Sequence, residues 1–190
     1  MPKKITILAI LLFANLSFGQ IIGAKQVSLF NLSIINSELK GEEGLGINLS
    51  LTKDFYKIPF TLDFKMMGEV DGITFGGSTS PKHKFSQISL LASLFKNHTI
   101  PLLLSGGIGY SSLTYRGKFL YSEYENDSWF SDVDSYYEEI NENSLTLPIE
   151  LKIFWVNKNF VGVSIGAFAS IRKNNSVIGF NLGFVGGTIK

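Results

Sequence analysis

The sequence predicts an all-β fold, a single antiparallel up-and-down transmembrane β-barrel of about eight strands. Three observations lead there. Apolar and polar residues alternate in long runs. No stretch after residue 20 is apolar for long enough to make a membrane helix, although 13% of the residues are aromatic. The connections between runs are short at one end and include long ones at the other.

The chain opens with Met1, Pro2, Lys3 and Lys4, continues as an apolar run from Ile5 to Ala14, and then reaches Asn15, Leu16, Ser17, Phe18 and Gly19. A basic start, a short apolar run and small residues at Ser17 and Gly19 are the pattern of a secretory signal peptide. The run is about half the length of a membrane-spanning helix. Residues 1–19 are therefore expected to be removed, leaving 20–190 as one secreted barrel domain. Of 17 basic residues, Lys3 and Lys4 leave with the signal, so 15 remain against 16 acidic ones. No basic stripe follows a phosphate backbone, and no nucleic-acid partner is expected. Cysteine is absent, which excludes disulfides, thiolate metal sites, a cysteine nucleophile and a lipidated N-terminal cysteine. No glycine loop precedes a helix to cradle phosphate; the glycines of Ser105–Tyr110 fall within a strand. No cofactor is expected.

Four runs carry the alternation clearly. Leu45, Ile47, Leu49 and Leu51 alternate with Gly46, Asn48, Ser50 and Thr52, and Phe60, Leu62, Phe64 and Met66 with Thr61, Asp63, Lys65 and Met67. Leu145 to Ile153 and Ile178 to Phe184 repeat the pattern, with Glu150, Lys152, Gly179, Asn181 and Gly183 on their polar faces. A period of two is the signature of a strand with two different surroundings. Val27–Leu39, Phe85–Lys96, Thr99–Tyr115 and Phe160–Arg172 complete the set. Phe85–Lys96 is the least regular, since Leu91 and Phe95 fall among Gln87, Ser89 and Ser93.

A soluble ligand-binding barrel would show the same alternation, so the composition of the polar face decides which side is inside. That face is mostly Gly, Ser, Asn and Thr, small enough for a narrow lumen. Its few charges, Asp63, Lys65, Glu69, Glu150 and Lys152, carry both signs, as a buried network requires. Apolar residues are thus expected to face lipid. With a periplasmic N-terminus, the periplasmic connections, Phe55–Ile58, Asn97–His98 and Asn157–Lys158, are short. The external ones include Asp71–Lys84 and Gly117–Asn143, both long, besides the short Lys40–Glu43 and Lys173–Asn175. Aromatic girdles are expected from Phe55, Tyr56, Phe60, Trp155 and Phe160 at one interface and Tyr110, Tyr115 and Phe119 at the other.

On these features the chain resembles, over about residues 21–190, the small outer-membrane barrels of OmpA/OmpX type. The resemblance implies an outer-membrane location, with membrane lipid and an unknown surface ligand as partners, and a monomeric state. It leaves activity open, because such barrels include adhesion and resistance factors, cell-wall anchors and lipid-modifying enzymes. Barrels of this type commonly end in an aromatic residue; this chain ends in Gly186, Gly187, Thr188, Ile189 and Lys190, and Gly179–Phe184 is the segment expected to serve in assembly.

Two places invite chemistry. His83 sits near Ser78, Ser80 and Ser86, the residue types a lipid-deacylating site needs, against the plainer reading of a solvated loop histidine. The connection Gly117–Asn143 holds eight acidic residues against one base, Lys118, with seven aromatic rings among them. Within it Asp132, Asp134, Glu138, Trp129 and Tyr136 are the candidate binding residues. The acids are near enough in sequence to consider a shared hard cation, although the EF-hand pattern is missing. Aromatic rings among acids also suit a cationic or sugar-bearing partner, and a solvated acidic loop is the alternative. A non-enzymatic surface barrel is the leading reading, with a lipid-modifying enzyme and a soluble periplasmic ligand-binding barrel as alternatives. A wide pore is disfavoured, because side chains fill a lumen of eight strands.

Overall fold

Period-two patterning becomes strand wherever the sequence carries it. The computed structural model describes residues 27–55, 58–70, 78–96, 102–125, 132–156 and 161–189. The signal-peptide segment 1–19, Tyr56, Phe160 and most residues of the three predicted periplasmic connections lie outside them. The strands are β1 (Val27–Leu39), β2 (Glu42–Phe55), β3 (Ile58–Glu69), a two-residue β4 (Thr79–Ser80), β5 (Lys84–Lys96), β6 (Leu102–Glu125), β7 (Asp132–Val156), β8 (Val161–Ile171) and β9 (Val177–Ile189). Leaving β4 aside, each pairs antiparallel with the next, and β9 returns to β1 from Val27↔Ile189 to Ser37↔Gly179. The eight long strands form a closed ring, and the last of them runs past Phe184 to Ile189.

The faces are those the composition of the polar side indicates. Leu49 and Leu182 are 38% and 58% exposed, whereas their neighbours Asn48 and Asn181 are 0% and 2%. Phe30, Leu32, Ile34, Leu62, Phe64, Leu147, Ile165 and Phe180 join the outer belt. A soluble barrel would bury these side chains, so that alternative is overturned: only lipid accommodates so continuous an apolar surface. Leu91, irregular in the sequence pattern, points inward with Phe85 and Phe168.

Small residues let the inner faces approach. A Cβ on Gly46 would lie 1.9 Å from the Met66 carbonyl oxygen, and one on Gly183 2.3 Å from both the Leu32 carbonyl oxygen and Ser33 Cβ. Neither position has room for alanine.

The largest departure from expectation is at Gly117–Asn143. Most of it is strand: β6 and β7 are 24 and 25 residues long, against 11 to 14 for the other barrel strands. They stay paired outward as far as Glu125↔Asp132, with register shifts between Arg116 and Phe119 and between Phe119 and Tyr121. The lipid pattern stops where lipid stops, and the two irregularities break what alternation remains.

Face assignment is tested by charge. An arginine facing lipid near the membrane midplane costs about 2–4 kcal/mol. Leu49→Arg and Leu182→Arg should each lower the unfolding free energy by that order, measured by denaturant titration in liposomes. Single cysteines at the same positions should react with a lipid-soluble maleimide and resist a charged one.

Candidate functional site

Inside the ring, charge is balanced and enclosed. The Lys65 ammonium is paired with the Asp63 carboxylate and lies 3.6 Å from Glu150 Oε1. Lys152 Nζ lies 3.0 Å from Glu150 Oε2 and donates to Ser50 Oγ at 3.1 Å. Asn48 Nδ2 donates to Asp63 Oδ1 at 2.5 Å and Asn181 Nδ2 to Glu150 Oε1 at 3.2 Å. These two cations and two anions, none more than 2% exposed, balance one another. Next to them Ile35, Leu39, Met67, Phe85, Leu113, Phe168 and Val177 form a buried apolar cluster. The interior is a packed core.

Residues 78–83 lie against the outer mouth. The Glu69 amide donates to the His83 carbonyl at 2.8 Å, the His83 amide donates to Glu69 Oε2 at 2.8 Å, and His83 Nδ1 lies 2.8 Å from the Leu39 carbonyl oxygen. His83 is 5% exposed, so the solvated-loop reading is corrected: the ring is a buried strut between β1 and β5. Among the described residues its Nε2 has no partner, Ser78 is committed to Asp134, and no serine–histidine pair forms. Arg116 closes the same end, donating Nη1 to Glu69 Oε1 at 2.9 Å and to Thr79 Oγ1 at 2.5 Å, and Nη2 to Glu42 Oε1 at 2.9 Å. A third lock joins Tyr115, which donates its hydroxyl to Glu142 Oε1 at 2.8 Å, with Asn175 on Glu142 Oε2 at 2.9 Å. Tyr115 packs against the lumen cluster, so it does not belong to the lipid girdle. Tyr110, Phe55 and Trp155 do point outward, 51% exposure or more setting them apart from the core, whereas Phe119 stands higher, on the β6–β7 hairpin.

Beyond the mouth stands the β6–β7 hairpin. Phe119, Leu120 and Tyr121 are 55%, 58% and 49% exposed. Tyr121 stacks on its cross-strand partner Tyr136 at 4.7 Å and 18°, and Phe119 meets Tyr137 edge-on at 5.5 Å. The hairpin is pinned from the side. Asp134 Oδ1 accepts from the Ser78 amide at 2.6 Å and its hydroxyl at 3.0 Å, the Ser135 amide donates to the Ser78 carbonyl at 2.9 Å, and β4 runs parallel to Ser135–Tyr136.

Of the candidate residues read from sequence, Trp129 lies outside the described residues and Asp132 is described in its backbone alone, opposite Glu125. Asp134 and Tyr136 are brought together on one face of β7, and Glu138 follows, exposed. Strand geometry puts Asp134 and Glu138 about 13 Å apart along the chain, too far to share one ion. Among the described residues no group of three acidic or histidine side chains is placed to hold a metal. Sequence reasoning missed Tyr121 and Glu123 as the cross-strand partners of Tyr136 and Asp134. Their signal was the density of β-favouring aromatic residues in the supposed loop.

The Tyr115 hydrogen bond, followed by that of Asn175, holds the Glu142 carboxyl below its ordinary 4.5, and the same bond raises the Tyr115 hydroxyl. A carboxylate lowered by folding stabilises the mouth above its ordinary value, and that contribution is lost as pH falls through the lower folded value. Denaturation midpoints should therefore fall on acidification below about pH 4.5, by less in Tyr115→Phe and Glu142→Gln than in the parent. In the lumen, Lys65→Met leaves Asp63 and Glu150 without their shared cation. Removing one partner of a buried ion pair costs about 3–5 kcal/mol, which equilibrium unfolding in liposomes should register.

No protein-family model matches the sequence, and no curated protein matches it. Among solved structures the chain is similar to Neisserial surface protein A, with a TM-score of 0.57 and 10% identity over 85% of this chain and 96% of that one. It is similar to Ail, the attachment invasion locus protein of Yersinia pestis, with a TM-score of 0.52 and 12% identity over 87% and 99%. A second Ail structure, in complex with the heparin analogue sucrose octasulfate, gives 0.50 and 13% over 84% and 96%. At such identities the likeness is one of fold, and it joins a lipid-facing belt, a closed ring and a filled lumen derived from the residues themselves. The chain thus has the fold of these small barrels, with a continuous apolar belt turned to lipid.

Proposed function

We propose that this barrel is a non-enzymatic surface protein that makes its contacts through the β6–β7 hairpin. One observation carries the reading: a paired, pinned extension of the barrel holds exposed Phe119, Leu120 and Tyr121 above the mouth. A surface already ordered before binding loses little further freedom on contact. Exposed aromatic side chains on such a surface are the usual anchors of protein interfaces. The filled lumen speaks against transport, and the buried His83 speaks against a lipid-modifying site built on it. The two similar proteins are named for the surface and for attachment, which accords with the reading.

The test is a shortened hairpin. Replacing Lys118–Asn141 by an Asn-Gly turn keeps every lipid-facing strand, and gel mobility before and after boiling checks that the barrel still forms. Cells carrying the parent should adhere to immobilised extracellular proteins, and cells carrying the shortened form should lose that adhesion. Equal adhesion by both, or pore-sized conductance steps from the parent in a planar bilayer, would sink the proposal.

A further inference from the structure

Cross-strand pairing sets Tyr121 opposite Tyr136 and Glu123 opposite Asp134, so these four side chains share one face of the hairpin. The two rings are stacked, with two carboxylates one pair further out. Tyr121 and Glu123 are exposed, and Asp134 is tied to Ser78 through Oδ1 alone. We infer that this face receives the guanidinium of an arginine carried by a basic extracellular peptide segment, a partner class that rests on the contact reading above.

Three features of the molecule favour that occupant. Charge is the first: between Gly117 and Asn143 eight acids face one base, so a basic segment is drawn in and an acidic one repelled. The second is chemistry already present on the hairpin, where the Arg116 guanidinium lies 6.0 Å from the centre of the Tyr137 ring while its nitrogens bond Glu42 and Glu69. Lys40 sits over Tyr115 in the same manner, at 4.2 Å. A cation against a tyrosine face with a carboxylate close by is thus the local solution to holding positive charge at this end of the barrel. The third is the closeness of ring and carboxylate: the negative charge of Glu123 raises the Tyr136 hydroxyl above its ordinary value, so the acid stands beside the ring that the cation would cover.

The experiment uses the full chain in nanodiscs and a fluorescent peptide of alternating arginine and glycine, with a lysine–glycine peptide beside it. Anisotropy should report binding of the arginine peptide, weaker binding of the lysine peptide, and loss of both on adding salt. Tyr121→Ser and Tyr136→Ser should each weaken the arginine peptide by about two- to fivefold, the span of an exposed cation–ring contact. Glu123→Gln should weaken both peptides. If the tyrosine variants bind as the parent does while Glu123→Gln loses affinity, the attraction is diffuse charge and the inference falls. Spermidine, which has ammonium groups only, should compete poorly; equal competition would overturn the guanidinium assignment. If no arginine peptide binds and yet the shortened hairpin abolishes cell adhesion, contact through the hairpin stands and its proposed partner does not.

Discussion

Closure of the backbone ladder is the constraint on which the rest depends. In hydrocarbon no water satisfies an open sheet edge, so β9 has to return to β1, and it does so along β1 as far as Ser37↔Gly179. Closing the ring makes an outside and an inside, and lipid takes the outside. What remains for the inside is narrow and enclosed, polar around Asp63 and Glu150 and apolar around Phe85 and Phe168. Charge there has to be matched, which Asp63, Lys65, Glu150 and Lys152 achieve, and bulk has to be small, which Gly46 and Gly183 achieve. The polar face of the sequence is therefore a consequence of the ring, as much as the apolar face is.

Above the lipid, different rules apply to the same strands. With water on both sides the hairpin has no reason to alternate, and a bare two-stranded ribbon is marginal by itself. It is kept in place by attachment: Asp134 to Ser78, β4 along Ser135–Tyr136, and Arg116 to Glu42 and Glu69. Those contacts come from residues 78–83 and the tops of β2 and β3, the segments that also seal the apolar cluster beneath. Sealing the mouth and ordering the hairpin are thus one structure. The same few side chains serve a stable core and an external surface.

That division also explains what could be read in advance. Facing was legible because lipid imposes it at every second residue: Leu49 against Asn48 and Leu182 against Asn181 need no tertiary knowledge. Even Leu91, inward among polar residues, stands out as a breach of pattern, and it is fully buried in the lumen. The hairpin leaves no such mark, because its pairing is fixed by the partner strand and by two register shifts, neither of which leaves a period in one strand alone. The place of His83 is hidden in the sequence for a related reason. Its burial follows from the Leu39 carbonyl 44 residues earlier, a contact that only the folded ring creates. Asp134 and Tyr136 were selected for composition, and the structure supplied what composition lacked, namely Tyr121 and Glu123 across the ladder.

A shared ring does not imply a shared partner. The fold admits a polysulfated ligand in one similar protein, since Ail is found with sucrose octasulfate. Here the external extension carries eight acids against Lys118, so a polyanion approaching it meets repulsion before any contact forms. Water-exposed charge is screened beyond about 10 Å at ordinary salt, but acids spaced along a hairpin lie within that distance of whatever touches it. Closure of the ring and the apolar belt are imposed by lipid and are the same problem for every such barrel. The sign of the charge above the mouth is free to vary, and it is there that one barrel of this fold can be directed to a basic partner and another to an acidic one.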